Sequence, residues 1–334
     1  MFNLKQRLFR NTLLLLIFLM LLSKSFASTI LLMEPQKVEI GIFLTSLYDV
    51  NSTDGSFSAD LWFWSKSQSH AKFNLQNVEV NYLSSKFPQT YTSIATYPLD
   101  NEIVYQSRKL HGTFLHDYDI KNFPFDRQIL EVHHENIEAN TKDILFTADT
   151  QSGFDKKISI DGWKIISVTT KVSEKVYGSN FGYTIDDVSV GYSRITTIID
   201  LKRNAPLVFL KVTLGLFASV ILALLSCFLR SDNDDLFSAR IGLLGGALLA
   251  VVFNQQFADT KSGQTTAVTL IDSLHMLGIF TILVLFVGSV ASRFIIPNNT
   301  TRMIFKLFDR ILIVAMFFVF TSLSLIWTLN SIYS

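Results

Sequence analysis

Two hydrophobic periods divide this chain. From residue 28 to about 203, apolar side chains recur at every second position in short runs, whereas from 204 onward they form four long runs. In "FSADLWFWS" the alternation puts Phe57, Ala59, Leu61 and Phe63 on one face and Ser58, Asp60, Trp62 and Trp64 on the other. That is the period of a half-buried β-strand. The preceding run "VEIGIFLTSLYDV" is joined to it by the turn-rich link "NSTDGS", which predicts a hairpin. Further strands are predicted in "NEIVYQSRKLHGTF", "RQILEVHHE", "DGWKIISVTTKVSEKVY" and "YSRITTIIDLK". Strands separated by turn signals, without an amphipathic helix among them, predict an antiparallel, immunoglobulin-like β-sandwich over 28–203.

The second half reads as a four-helix transmembrane domain over 204–334, with helices at about 207–229, 237–257, 267–294 and 305–329. A spanning helix needs roughly 20 apolar residues. The second run is the shortest, is rich in Gly and Ala, and ends in polar "NQQFADT". At the N-terminus, Lys5, Arg7 and Arg10 precede "LLLLIFLMLL", and Ser25 and Ala27 fit a signal-peptidase site. A signal peptide over 1–27, cleaved after Ala27, is expected, with a retained anchor as the alternative. Cationic residues agree with that orientation. One set of loops collects Arg230, Arg240, Arg293, Arg302, Lys306 and Arg310, while the second-to-third loop holds only Lys261. The expectation is a multi-pass protein of the bacterial inner (cell) membrane, its N-terminal domain outside the cytoplasm and Trp327 and Tyr333 at the outer interface.

Composition removes several function classes. A formal net charge of +1 over 334 residues offers no basic face to a nucleic acid. The single cysteine, Cys227, lies in an apolar run, so neither a disulfide framework nor a cysteine metal cluster is available. A domain of about 175 residues buries enough core to fold without one. His133 and His134 are adjacent on a strand, point to opposite faces and cannot share a metal there. No nucleophile–base arrangement, phosphate loop or metal-protease signature is present, so neither an enzyme nor a cofactor is expected.

The stretch "HDYDIKNFPFDRQIL" connects two predicted strands with an apolar tip broken by proline and closed by a charge. A loop that only reversed the chain would use Gly, Asn or Asp instead. With four helices following and "YSRITTIIDLKRN" ending in Arg203 before the first of them, the chain resembles a prokaryotic pentameric ligand-gated ion channel of the Cys-loop receptor superfamily. The family's loop of two cysteines with thirteen residues between them contains aromatic-Pro-Phe-Asp; here that motif is Phe123, Pro124, Phe125 and Asp126, and His116 and Leu130 stand at the cysteine positions.

The resemblance implies a homopentamer in which the second helix lines a pore for inorganic ions. At helical spacing, Ile241, Gly245, Leu248, Val252, Gln255 and Asp259 form one stripe, apolar in the middle and polar at its outer end. A ring of Leu248 and Val252 would make a hydrophobic constriction able to gate by dewetting. Gly245, Gly246 and Ala247 would let helices approach closely. A lipid-facing or packing helix is the competing reading. Where the family's cation channels carry glutamate, this chain has Phe237, Ser238 and Ala239, with Asp234 and Asp235 a turn earlier, Asp259 at the outer mouth and Arg240 opposing them. The balance leans towards cations. Asp272 and His275, one turn apart in the third helix, are read either as polar contacts at its outer end or as pH-sensing groups.

By the same resemblance, Asp49 and Asp54 in the first hairpin link, the Phe123–Pro124–Phe125–Asp126 tip and Arg203 couple the sandwich to the loop 260–266. The aromatic tip would insert among helix ends, with Asp126 paired to Arg203. An inter-subunit agonist site would draw on Trp62, Trp64, Tyr105 and Arg108 from one subunit, and on Tyr177, Phe181 and Tyr183 from the next. The chain has no Trp-x-Pro segment where the family's first principal loop belongs, and the segment after "EVHHENIEAN" lacks the aromatic expected of the second, so the family's aromatic cage is incomplete and ordinary sandwich packing stays open for each aromatic. The expected partners are other copies of the chain, a small-molecule or proton agonist, the lipid bilayer and permeant inorganic ions, and no nucleic acid. The alternative is a non-conducting, membrane-anchored periplasmic receptor or scaffold that keeps the fold.

Overall fold

The computed structural model describes residues 34–71, 73–81, 90–99, 102–179, 191–262, 267–294 and 299–333; the proposed signal peptide, Phe181 and Tyr183 lie outside them. Among the described residues, eleven strands precede the helices: β1 (Gln36–Asn51), β2 (Ser56–Gln68), β3 (Val78–Asn81), β4 (Thr90–Tyr91), β5 (Ala95–Pro98), β6 (Ile103–Leu115), β7 (Arg127–Asn136), β8 (Ile144–Ala148), β9 (Gly153–Phe154), β10 (Trp163–Val176) and β11 (Gly191–Arg203). Four helices follow: α1 (Ala205–Ser226), α2 (Asp234–Ser262), α3 (Leu270–Phe294) and α4 (Asn299–Tyr333).

The strands form two sheets. One runs β4-β6-β2-β1-β8, with β5 also on β6 and β9 on β1; the other runs β10-β11-β7-β3. The alternating positions of β2 face inward as expected: Phe57, Ala59, Leu61 and Phe63 are buried with Ile40, Ile42 and Leu44 of β1, against Leu130, Val132, Ile195, Ile199 and Leu201 of the second sheet. Each such side chain contributes about 1.5–3 kcal/mol by leaving water. The sandwich is not wholly antiparallel, because β8 and β9 pair with β1 in parallel. After β7 the chain leaves the second sheet and adds β8 to the open edge of the first, which removes a row of unpaired backbone groups from solvent. Alternation within "ILFTA" shows only that it is a strand and does not encode its direction.

All four helices are long and apolar enough to cross a membrane. Their ends depart from the predicted bounds where polar residues continue the helix. α2 begins at Asp234 because Asn233 caps it, its Oδ1 accepting from Leu236 N–H at 2.9 Å, with Asp234 and Asp235 in the first turn. α4 starts at Asn299, six residues before the predicted boundary at 305. α1 ends at Ser226, three residues before the predicted 229.

Close packing within the bundle uses other glycines than those expected. Gly242, Gly245 and Gly246 of α2 face open space within the chain. The tight approaches are at Gly215 of α1, against the Asn254 side chain, and at Gly278 and Gly288 of α3, against Leu216 and Leu312. The glycines of α2 therefore do not draw this subunit's own helices together, whereas Ala247 is buried against them.

Candidate functional site

The β6–β7 connection is where the two halves meet. Phe123 is fully buried, and it clusters with Ile120 and with residues of all four helices, among them Leu216, Val251, Leu274 and Phe320. The peptide between Phe123 and Pro124 is cis. Phe125 packs on Phe209 of α1 with ring centres 5.4 Å apart. The tip also offers backbone carbonyls: Lys121 C=O accepts from Leu270 N–H at the start of α3 (3.0 Å), and Asn122 C=O from Ser331 Oγ near the end of α4 (3.1 Å). One loop thus satisfies polar groups at the sandwich-side ends of two helices while filling the space between them.

Asp126 and Arg203 sit directly behind this tip. Arg203 Nε donates to Asp126 Oδ1 at 2.7 Å and Nη2 to Oδ2 at 3.1 Å, with the two side chains 11% and 1% exposed. Gln128 Nε2 donates to the same carboxylate at 2.9 Å. The guanidinium is flanked by Trp163 at 4.0 Å and Phe123 at 4.8 Å from its carbon to the ring centres. A bidentate pair between aromatic faces has few alternative geometries. The pair joins the loop tip to the last strand residue two positions before α1, so neither can move without the other.

The other predicted coupling residues act locally. Asn51 Nδ2 donates to Asp54 Oδ2 at 2.8 Å, holding the β1–β2 turn, and Asp49 is exposed with a left-handed backbone (φ 50). The turn reaches the helices through Ser52, whose Oγ donates to the Ser262 carbonyl of α2 at 2.9 Å. Ser52 carries no sequence signal that separates it from its neighbours. Of the loop 260–266, residues 263–266 lie outside the described set.

The stripe Ile241, Gly245, Leu248, Val252, Gln255 and Asp259 lies off the seam by which α2 joins its own bundle; Val252 and Asp259 are exposed and the rest partly so. The buried seam is Arg240, Leu244, Ala247, Val251, Ala258 and Ser262. Arg240, expected to oppose cations, is turned inward: it is 1% exposed and its Nη1 donates to Asp309 Oδ2 of α4 at 3.0 Å. Asp234 is likewise engaged, by Arg293 of α3. Higher on α2, Asn254 Oδ1 accepts from Leu216 N–H of α1 and contacts His275 Nε2 of α3, both at 3.0 Å. His275 is fully buried, and Asp272 accepts from Thr269 N–H at 2.8 Å in the first turn of α3.

The agonist-site candidates fall into three places. Trp62, Trp64 and Tyr105 come together on the outer face of the larger sheet, lining an open hollow of about 360 Å³ with Phe43 and Thr45. Gly41 makes room for this face, since a Cβ there would overlap the Trp64 indole. Trp64 Nε1 donates to the buried Asp149 at 2.7 Å, and Lys66 Nζ pairs with the same oxygen at 2.7 Å. Burial pushes the Asp149 carboxyl up, but these two donors and Gln151 N–H hold it below the ordinary range. Trp64 is thus largely structural, while Trp62 lies under Lys109 Nζ at 5.0 Å and is partly open. Phe43 was legible in part, since it alternates with buried Ile42 and Leu44 and pairs across the sheet with Trp62.

Arg108 does not join this hollow. It lies three positions from Tyr105 on β6, hence on the opposite face, opposite Phe63 and within the sandwich. Tyr177 is on the other sheet, where its OH donates to Glu135 Oε2 at 2.6 Å and Arg194 pairs with Glu135. Burial first and then the Glu135 hydrogen bond push the Tyr177 phenol up. His133 Nδ1 contacts Thr196 Oγ1 at 2.9 Å, while His134 is buried facing Phe63, so the two histidines diverge. No group of three or more metal-ligating side chains occurs among the described residues.

No known protein-family model matches the chain, and a search of curated proteins finds no significant match.

Proposed function

We propose that the chain is a subunit of a homopentameric, agonist- or proton-gated ion channel, a divergent prokaryotic relative of the Cys-loop receptors, with its β-sandwich outside the cytoplasm of a bacterial inner membrane. The observation that carries this reading is the junction: Phe123 buried in the four-helix core, with Asp126 bound to Arg203 at the entry to α1. A sandwich wedged into helix ends through a fixed ion pair can transmit a displacement of its sheets to the membrane half.

In this reading five copies of α2 surround an axis. Leu248 and Val252 form the hydrophobic constriction, and Asp259 rings the outer mouth. With Arg240 paired to Asp309 and buried, its charge does not face the axis, which supports the lean to cations. The agonist site lies between subunits, the hollow at Trp62 and Tyr105 of one facing the Tyr177 end of the next.

The decisive experiment is purified protein, shown to be pentameric, in planar bilayers screened across pH and small amines. Current under some condition is expected, with reversal potentials in asymmetric salt giving the ion's sign. Silence under every condition with intact pentamers overturns the channel and leaves the receptor or scaffold. Leu248→Ser should add leak current; poor expression with no leak would mean that α2 faces lipid.

A further inference from the structure

A cleft of about 740 Å³ opens between β3 of one sheet and β4 and β6 of the other, lined by Val78, Glu79, Val80, Tyr91, Ile94 and Arg108 among others. Its volume is that of a small-molecule site. Arg108 is 8% exposed. Its Nη2 donates to the Val78 carbonyl at 2.5 Å, and its guanidinium carbon lies 4.1 Å from the centre of the Tyr91 ring. Nε is buried without a hydrogen-bond partner. No ion pair joins Arg108 to a carboxylate among the described residues. Glu79 lines the cleft but alternates outward between the buried Val78 and Val80.

A buried cation that no carboxylate hydrogen-bonds is costly, and a carbonyl, an aromatic face and the through-space pull of Glu79 offset only part of that cost. The neighbouring His134 does not change the charge: burial first, then Arg108, hold its imidazole down to about 3, so it is neutral at ordinary pH. The cleft therefore presents one forked donor group that no carboxylate hydrogen-bonds, beside a wall of mixed polar and apolar side chains in which Tyr91, Val78, Val80 and Ile94 supply the apolar part. Guanidinium forks match carboxylates in geometry as well as in charge.

We propose that this cleft binds a small carboxylate with an apolar body, its carboxylate on Arg108 and its body against Tyr91, Val78, Val80 and Ile94. The site is separate from the hollow at Trp62 and requires no conducting pore. Calorimetry on the full chain in detergent, with benzoate as probe and benzamide as its neutral counterpart, tests it. Saturable benzoate binding is expected, at least about tenfold tighter than benzamide, because the charge-assisted pair is lost in the amide. Arg108→Gln should remove that preference, and Glu79→Gln should tighten benzoate by deleting a like charge at the rim. Equal binding of benzoate and benzamide, or benzoate binding retained in Arg108→Gln, overturns the proposal. So does a Glu79→Gln protein that is less stable and binds no benzoate, since Glu79 would then be the internal partner. Should Arg108→Gln not fold, Tyr91→Leu substitutes for it: several-fold weaker benzoate binding is expected, and unchanged affinity overturns the proposal.

Discussion

Arg240 of α2 donates to Asp309 of α4 at 3.0 Å, a contact between side chains 2% and 13% exposed that ties the inner end of one helix to another 69 residues away. Ser292 of α3 reaches the same carboxylate at 3.4 Å, so three helices converge on it. Removing one charge strands the other in an apolar setting. Arg240→Met or Asp309→Leu alone should each cost about 3–5 kcal/mol, read as loss of thermal stability in detergent. The double variant should recover most of it. Additive losses in the pair would show that the two side chains do not act together.

The Asp126–Arg203 pair is more exacting in shape than in charge. Lysine at 203 keeps the charge but loses the bidentate contact and the packing between Trp163 and Phe123. Arg203→Lys should destabilise by roughly 1–3 kcal/mol and uncouple the halves, so that thermal melting separates into two transitions. A single transition at the wild-type temperature would count against the pair as a fixed joint.

His134 makes stability fall in acid. Its folded-state value, about 3, lies below the ordinary 6.5, so the unfolded chain takes up a proton that the folded chain refuses. The contribution is fully present above pH 6.5 and is lost as pH falls towards 3, a slope amounting to several kcal/mol at most. Both ring nitrogens lack a partner, so the aliphatic replacement leaves no polar atom stranded. His134→Leu should therefore flatten the unfolding midpoint against pH between about 6 and 4 without losing stability at pH 7. An unchanged acid slope in the variant would assign it to other groups.

Asn254 is a cross-brace between three helices, since its side-chain oxygen accepts from Leu216 N–H of α1 and lies 3.0 Å from His275 Nε2 of α3. Asn254→Leu should cost about 1–3 kcal/mol by removing the polar contacts that join α2 to α1 and α3. Gly215→Ala should do the same by pushing into Asn254, and Asn254→Ser should relieve it; a Gly215→Ala chain as stable as wild type would deny the close approach.

Some of what sequence reasoning missed was present in the pattern. Tyr105 and Arg108 are an odd number of positions apart on one strand, so they could not line one surface, whereas the pairing of Phe43 with Trp62 depends on the β1–β2 register. Other features had no local signal. Ser52, Asn122 and Ser331 are polar residues in polar company, and their roles depend on which helix end lies opposite. Arg240 looked like a charge at a pore mouth because helical spacing gives its direction on α2 but not what stands there.

The chain's own pattern determined the long strands β1, β2, β6, β7, β10 and β11 ahead of four apolar helices, the inward face of β2 and the apolar tip at Phe123, because period and turn chemistry are local properties of the backbone. Tertiary structure alone decided that β8 joins β1 in parallel, that Arg240 turns from the α2 stripe to Asp309, and that Arg108 is enclosed without a hydrogen-bonded carboxylate. Each of these rests on residues far apart in sequence meeting in space, where burial sets the cost of a charge and the nearest partner decides whether that cost is offset.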